Sequence, residues 1–263
     1  MRTRLFIASL GFAAFGAVVL ADSRVEFKAT EGGGASFQTM LIGQGKLRSD
    51  EGKTQSAIID PTGGLMILLD HQRRTFTKIG RAELDQLVKA LGDMAKQMEQ
   101  IMASIPPEMR DMMRGRGVGM PGAPEPTTMV ETDERATVAG KACRIYHRKV
   151  GDRTTAEYCL ADPSVLELPA ADRATLTAAV AWSQELLDTL AKSPMGRMAD
   201  ATPFKNGLVP LRVTELSGST RRTSEFTGVS TAALPPGTFD VPKTYTEQKL
   251  EIPRIGRGGR GGR

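Results

Sequence analysis

From residue 23 to residue 79 short runs carrying apolar residues follow one another, separated by breaks rich in glycine, proline, aspartate and arginine. Short runs bounded by such turn residues predict strands at 25–29, 36–42, 46–49, 55–60, 65–70 and 75–79. Asp60-Pro61-Thr62-Gly63-Gly64 and Asp70-His71-Gln72-Arg73 carry the turn chemistry that joins antiparallel neighbours, which makes the segment a meander. The pattern then changes. Leu84, Leu87, Val88, Leu91, Met94, Ala95, Met98, Ile101, Met102 and Ile105 fall three and four apart, as on one face of a long helix over 81–105. Pro106-Pro107 stops it, because proline has no amide proton to donate and clashes with the preceding turn.

Residues 106–128 mix glycine, proline, methionine and arginine with too little patterned apolar surface to offset their ordering entropy, and read as a mobile loop. Strand patterning resumes at 128–139, 142–149 and 153–161. A second helix is expected over 176–190, with Ala179, Val180, Ser183, Leu186 and Leu187 on one side and Asp172 as its cap. Strands at 208–216 and 222–229, then an extended segment at 239–245, complete a mainly β chain with two substantial helices.

The N-terminus gives this body an address. Arg2 and Arg4 precede an apolar run over 5–20, and Val19-Leu20-Ala21 offers small or apolar residues before a cut, as in a secretory signal peptide. The run is shorter than the roughly 20 residues a spanning helix needs, and Asp22 follows at once. Cleavage near Ala21 places the protein in the periplasm or outside the cell. The net charge of +5 comes from the ends, since residues 22–250 carry 29 basic and 29 acidic side chains. Steering of nucleic acid by a neutral body is therefore not expected. The Arg/Gly segment 251–263, with Arg254, Arg257, Arg260 and Arg263, reads as a disordered tail capable at most of weak contact with anionic membrane.

Export also bears on the two cysteines, Cys143 and Cys159, because an oxidising compartment favours a disulfide. Val150-Gly151-Asp152 lies between two strand-like segments. A hairpin centred on Gly151 sets Cys143 directly opposite Cys159, with both side chains on one face. A metal or redox site is disfavoured, since the pair lacks C-x-x-C spacing and has only His147 nearby.

Three groups of segments resemble the exported bacterial DUF4412-type domain and, more distantly, the LolA/LolB lipoprotein-carrier fold. They are Gly45-Lys-Leu-Arg-Ser-Asp with Ala57-Ile-Ile-Asp and Met66-Ile-Leu-Leu-Asp; Val138-Ala-Gly-Lys-Ala-Cys-Arg-Ile-Tyr with Glu157-Tyr-Cys-Leu-Ala; and Gly207-Leu-Val-Pro-Leu with Phe239-Asp-Val-Pro. The resemblance implies one domain over 22–250: a curved antiparallel sheet or unclosed β-barrel with helices packed on its concave side. In the carrier relatives that concave surface holds acyl chains.

Enzyme signatures are sparse. The chain has no Gly-x-Ser-x-Gly, no phosphate loop and no H-E-x-x-H, and neither cofactor nor catalysis is expected. His71 sits in a turn after Asp70 and reads as solvated. Gly115, Gly117, Gly119 and Gly122 follow no strand and read as linker. Methionine is the less ordinary signal, because eight of the thirteen lie between Met94 and Met129. Thioethers can hold Cu(I), but Met94, Met98 and Met102 are interleaved with Leu87, Leu91, Ile101 and Ile105, which suits packing or an adaptable groove better. The expectation is a non-enzymatic binding protein for an apolar or amphipathic, lipid-like ligand, held between sheet and helix by Leu91, Met94, Met98 and Met102. A structural or protein-interaction module of the envelope with a filled core, and methionine-based copper binding, are the alternatives.

Overall fold

The computed structural model describes residues 22–105, 127–191, 207–217 and 220–250. The expected signal peptide, all but the last two residues of the 106–128 loop, and the Arg/Gly tail lie outside them. Six strands, β1 (Asp22–Glu31), β2 (Gly34–Gly43), β3 (Lys46–Glu51), β4 (Gln55–Asp60), β5 (Leu65–Asp70) and β6 (Thr75–Ile79), form the meander, each antiparallel to the next. Helix α1 (Arg81–Ser104) follows, then β7 (Thr127–Val138), β8 (Lys141–Val150), β9 (Arg153–Ala161), a 3-10 turn at Pro163–Leu166, and helix α2 (Ala170–Ala191). Strands β10 (Val209–Ser217), β11 (Thr220–Ala232) and the two-residue β12 (Thr246–Glu247) come last.

All twelve strands belong to one sheet, in the order β12-β6-β5-β4-β3-β2-β1-β11-β10-β9-β8-β7. Its two ends do not meet, so the architecture is mainly β, an unclosed curved sheet with two helices. Bulges at Glu26/Phe27, Pro210/Arg212 and Arg148/Lys149 shift the register, and each adds local twist.

Across β1–β6 the ladders set directly opposed residues in rows, and the inner face carries three of them. The first row, Ser23, Ile42, Leu47, Ile59, Met66 and Ile79, is almost wholly apolar. The second, Val25, Met40, Ser49, Ala57, Leu68 and Thr77, is mixed, and the third, Phe27, Gln38, Glu51, Gln55, Asp70 and Thr75, is mostly polar. Helix α2 packs on β2 and β3 at the apolar end. There Leu176, Ala179 and Val180 join Val25, Ile42, Leu47, Leu211, Phe226 and both cysteines in the main core. Fully burying a leucine, isoleucine, valine or phenylalanine side chain there contributes roughly 1.5–3 kcal/mol.

Three expectations are corrected. Cys143 and Cys159 are bonded, with Cα atoms 5.3 Å apart, but Cys159 lies opposite Ile145 rather than Cys143. The turn brings Val150 against Arg153, and the bulge at Arg148/Lys149 adds a residue to β9, so the bond crosses the ladder diagonally. Asp172 is no cap, because α2 begins at Ala170 and buries that carboxylate against Ser23. Residues 239–245, expected to be extended, pass through two turns and a bend. They belong to a strap over the outer face, where Ser56, Ile58 and Leu69 are buried together with the strap's own Phe239. The strap ends in β12, the one strand parallel to its neighbour, which caps the β6 edge.

Candidate functional site

A cleft of about 870 Å³ opens between the β4–β5 turn, the first two turns of α1 and the later half of α2. Its apolar wall is Leu65, Leu84, Val88, Trp182 and Leu186. Local sequence explains each side. Gly80 precedes α1 and donates its N–H to Glu83 Oε2 at 3.0 Å, half of a capping box that fixes where the helix starts. The Asp60 carboxylate accepts from Gly63 N–H at 2.7 Å and shapes the turn opposite. Gly64, at φ +60°, takes a backbone conformation in which any other side chain would be strained, and it lies beside the Trp182 indole. Arg81 and Glu185 form an exposed ion pair that links the two helices at the mouth.

Trp182 is the only tryptophan of the chain. It is half-buried, with no hydrogen-bond partner for its indole N–H among the described residues. An apolar ring with a free donor at its edge suits a ligand that is apolar along its length and carries an acceptor.

The residues expected from the sequence to hold a ligand lie further along α1 than this cleft. Leu91 and Met94 are half-buried on the helix but do not line the cleft. Met98 and Met102 lie on α1, with side chains outside the described residues, as are Met109, Met112, Met113 and Met120. Leu84 and Val88 belong to the same apolar stripe. What the stripe could not reveal is that α2 meets it near α1's start; the lone Trp182 was the available signal.

His71 corrects a second expectation, for it is not solvated. Its Nε2 lies 2.6 Å from Ser56 Oγ and its Nδ1 2.8 Å from the Tyr245 hydroxyl. Ser56 also reaches Asp50 Oδ1 at 2.5 Å, and Asp50 pairs with Arg48 at 2.7 Å. A hydroxyl has one proton, and the carboxylate is the stronger acceptor, so Ser56 donates to Asp50 and accepts from His71 Nε2–H. That tautomer makes Nδ1 the acceptor of the Tyr245 proton. A histidine that donates to serine is not acting as its base. The network holds the strap instead, together with Arg48, which donates to Thr238 O at 2.8 Å.

Two smaller openings, of about 420 and 310 Å³, lie where the second and third inner rows are uncovered, and Ser49 borders both. No group of histidine, cysteine and acidic side chains able to hold a metal occurs among the described residues, and none of their helices is long and apolar enough to cross a membrane.

The fold and cleft define a class: an unclosed mainly β sheet with a helix-lined opening at one end. No family model and no curated protein matches the chain. Solved structures do. A structure of PNGF-II is 10% identical over 87% of this chain and 31% of its own, at TM-score 0.37. An uncharacterized conserved protein from Thermus thermophilus is 6% identical over 88% of this chain and 92% of its own, at TM-score 0.40. The Pseudomonas aeruginosa MucA/MucB complex matches at 11% identity over 86% of this chain and 58% of the matched chain, at TM-score 0.32. The chain thus spans about a third of the PNGF-II chain's length, and none of the three lends it an activity.

Proposed function

We propose that the mature chain is an extracytoplasmic, non-enzymatic binding protein that takes the apolar part of an amphipathic, lipid-like ligand into the cleft between α1, α2 and the β4–β5 turn. The observation that carries this reading is the cleft itself: about 870 Å³, walled by Leu65, Leu84, Val88, Leu186 and the half-buried Trp182. Ligand pockets commonly enclose roughly 300–1,000 Å³, so one acyl chain is of the right size. Burial of that chain would supply roughly 25 cal/mol for each Å² removed from water. The Cys143–Cys159 bond suits an oxidising compartment, in keeping with the export signal. The motif resemblance to the DUF4412-type domain and to the carrier fold belongs to the same proposal.

Trp182 provides the test, because its emission reports on its own surroundings. Titration with lysophosphatidylcholine below its micellar concentration is expected to give a saturable blue shift. Val88→Glu, which sets a charge in the apolar wall, is expected to weaken binding at least about tenfold while leaving the far-ultraviolet spectrum unchanged. No saturable shift in the folded parent protein would leave the cleft without this ligand class.

A further inference from the structure

Asp172 is the only carboxylate buried among the described residues, at 6% exposure, and it is hydrogen-bonded by Ser23, whose Oγ donates at 2.5 Å. Ser23 itself is fully buried. Burial, chiefly, and the neighbouring Asp22 carboxylate hold the Asp172 pKa above the usual range against the opposing Ser23 bond. The other charged groups at this end act elsewhere. Arg173, next along α2, bears on Asp162, and Lys46 stands opposite Gly43 on the outer row. A buried ionised acid without a cation is costly, and removing its water leaves it to find a counter-charge or keep its proton.

The strand that meets Asp172 is the one that cleavage near Ala21 would make the first of the chain. Asp22 is held in place rather than left to fray. It pairs with Ala232 in the ladder, its Oδ2 accepts from Leu234 N–H at 3.1 Å, and a Cβ on Gly43 would collide with its carboxylate. Its backbone nitrogen is one peptide unit from Ser23, whose hydroxyl touches Asp172. An opposite charge within about 4–6 Å of a carboxylate favours the ionised acid.

We propose that cleavage between Ala21 and Asp22 creates the missing cation: the new α-ammonium pairs with the buried Asp172 and fastens β1 to α2 in the mature protein alone. Cleavage hydrolyses the Ala21–Asp22 peptide bond, leaving a carboxylate on the departing segment and an amine on Asp22 that takes a proton at neutral pH. The uncut chain has a neutral amide at that point. Processing and the locking of the helix onto the sheet are therefore one event.

The pH dependence has a definite sign. Where the amine is blocked, the raised pKa of Asp172 means that its contribution is fully present below the ordinary carboxylate range and is lost as pH rises through the folded-state value. With a free amine the pair persists at neutral pH and is lost as the α-ammonium, ordinarily near 7.7–8.0, gives up its proton.

The test compares residues 22–263 with a free α-amine, the same chain acetylated at Asp22, and the chain retaining Ala21. At pH 7 the free-amine protein is expected to melt about 3–6 °C above both others. The gap should close at pH 10, where the amine is neutral, and narrow at pH 4, where the blocked forms keep the Asp172 proton. Asp172→Asn should abolish it, and the two pH comparisons decide the matter if that variant does not fold. Midpoints within about 1 °C at pH 7, or a gap that survives at pH 10, would overturn the proposal.

Discussion

Ile42 and Gln38 lie on the same strand, on the same face, four residues apart, yet they belong to differently built halves of the sheet. At the Ile42 end the inner face is apolar and α2 covers it. At the Gln38 end the inner face is polar and open, and burial moves to the other side, where Ser56 and Leu69 lie on the face held under the strap. The halves also differ in what holds their covers. Helix α2 is held by apolar contact, whereas the strap is pinned by Arg48, His71 and Tyr245. One sheet can therefore serve two covers if its composition changes along its strands as well as from face to face.

The largest effect expected of this arrangement sets the two ends against each other. Ile42→Ala should cost about 3–4 kcal/mol in urea denaturation, because Ile42 is fully buried in the main core and its removal leaves a cavity there. Gln55→Ala, in the polar inner row, should stay within about 0.5 kcal/mol. Equal losses would mean that the open end is covered in solution. The disulfide ranks next. It closes a loop of 16 residues inside the helix-covered core, and replacing both cysteines with alanine should cost about 3 kcal/mol. A loss under about 1 kcal/mol would show the unfolded chain to be constrained already.

The sequence made the helix-covered half readable. Ile42, Leu47, Ile59 and Ile79 sit in short apolar or alternating runs bounded by turn residues, and the bounds expected for β4, β5 and β6 agree with those observed. The apolar stripe of α1 likewise located the helix within a residue. The open half was less readable, since its order comes from long-range polar pairs. His71 reaches Ser56 across 15 residues and Tyr245 across 174, and no local pattern links the three. The cysteine register failed for a related reason: a bulge is a property of two paired strands and leaves little trace in either one alone. The position of the cleft depended on a helix crossing. That crossing is decided by which of several equivalent turns of α1 meets α2, and a periodic stripe does not distinguish among them.

The smallest effect isolates the strap. Tyr245→Phe removes the hydroxyl that donates to His71 Nδ1 at 2.8 Å and leaves a half-buried acceptor unpaired, at a cost of about 1 kcal/mol. The loss should be local. The strap's β12 end is held to the edge by Thr246 N–H on Arg74 O at 3.0 Å and Gln248 N–H on Phe76 O at 2.7 Å. Amide hydrogen exchange at Thr246 and Gln248 is therefore expected to speed up about fivefold, the factor that 1 kcal/mol represents, while Ile42 and Leu47 keep the protection of the parent protein. If exchange at Ile42 rises by the same factor, the two halves open as one cooperative unit and the division between them is only one of composition. If only the strap amides respond, its polar pins hold one end of the sheet independently of the apolar cover at the other.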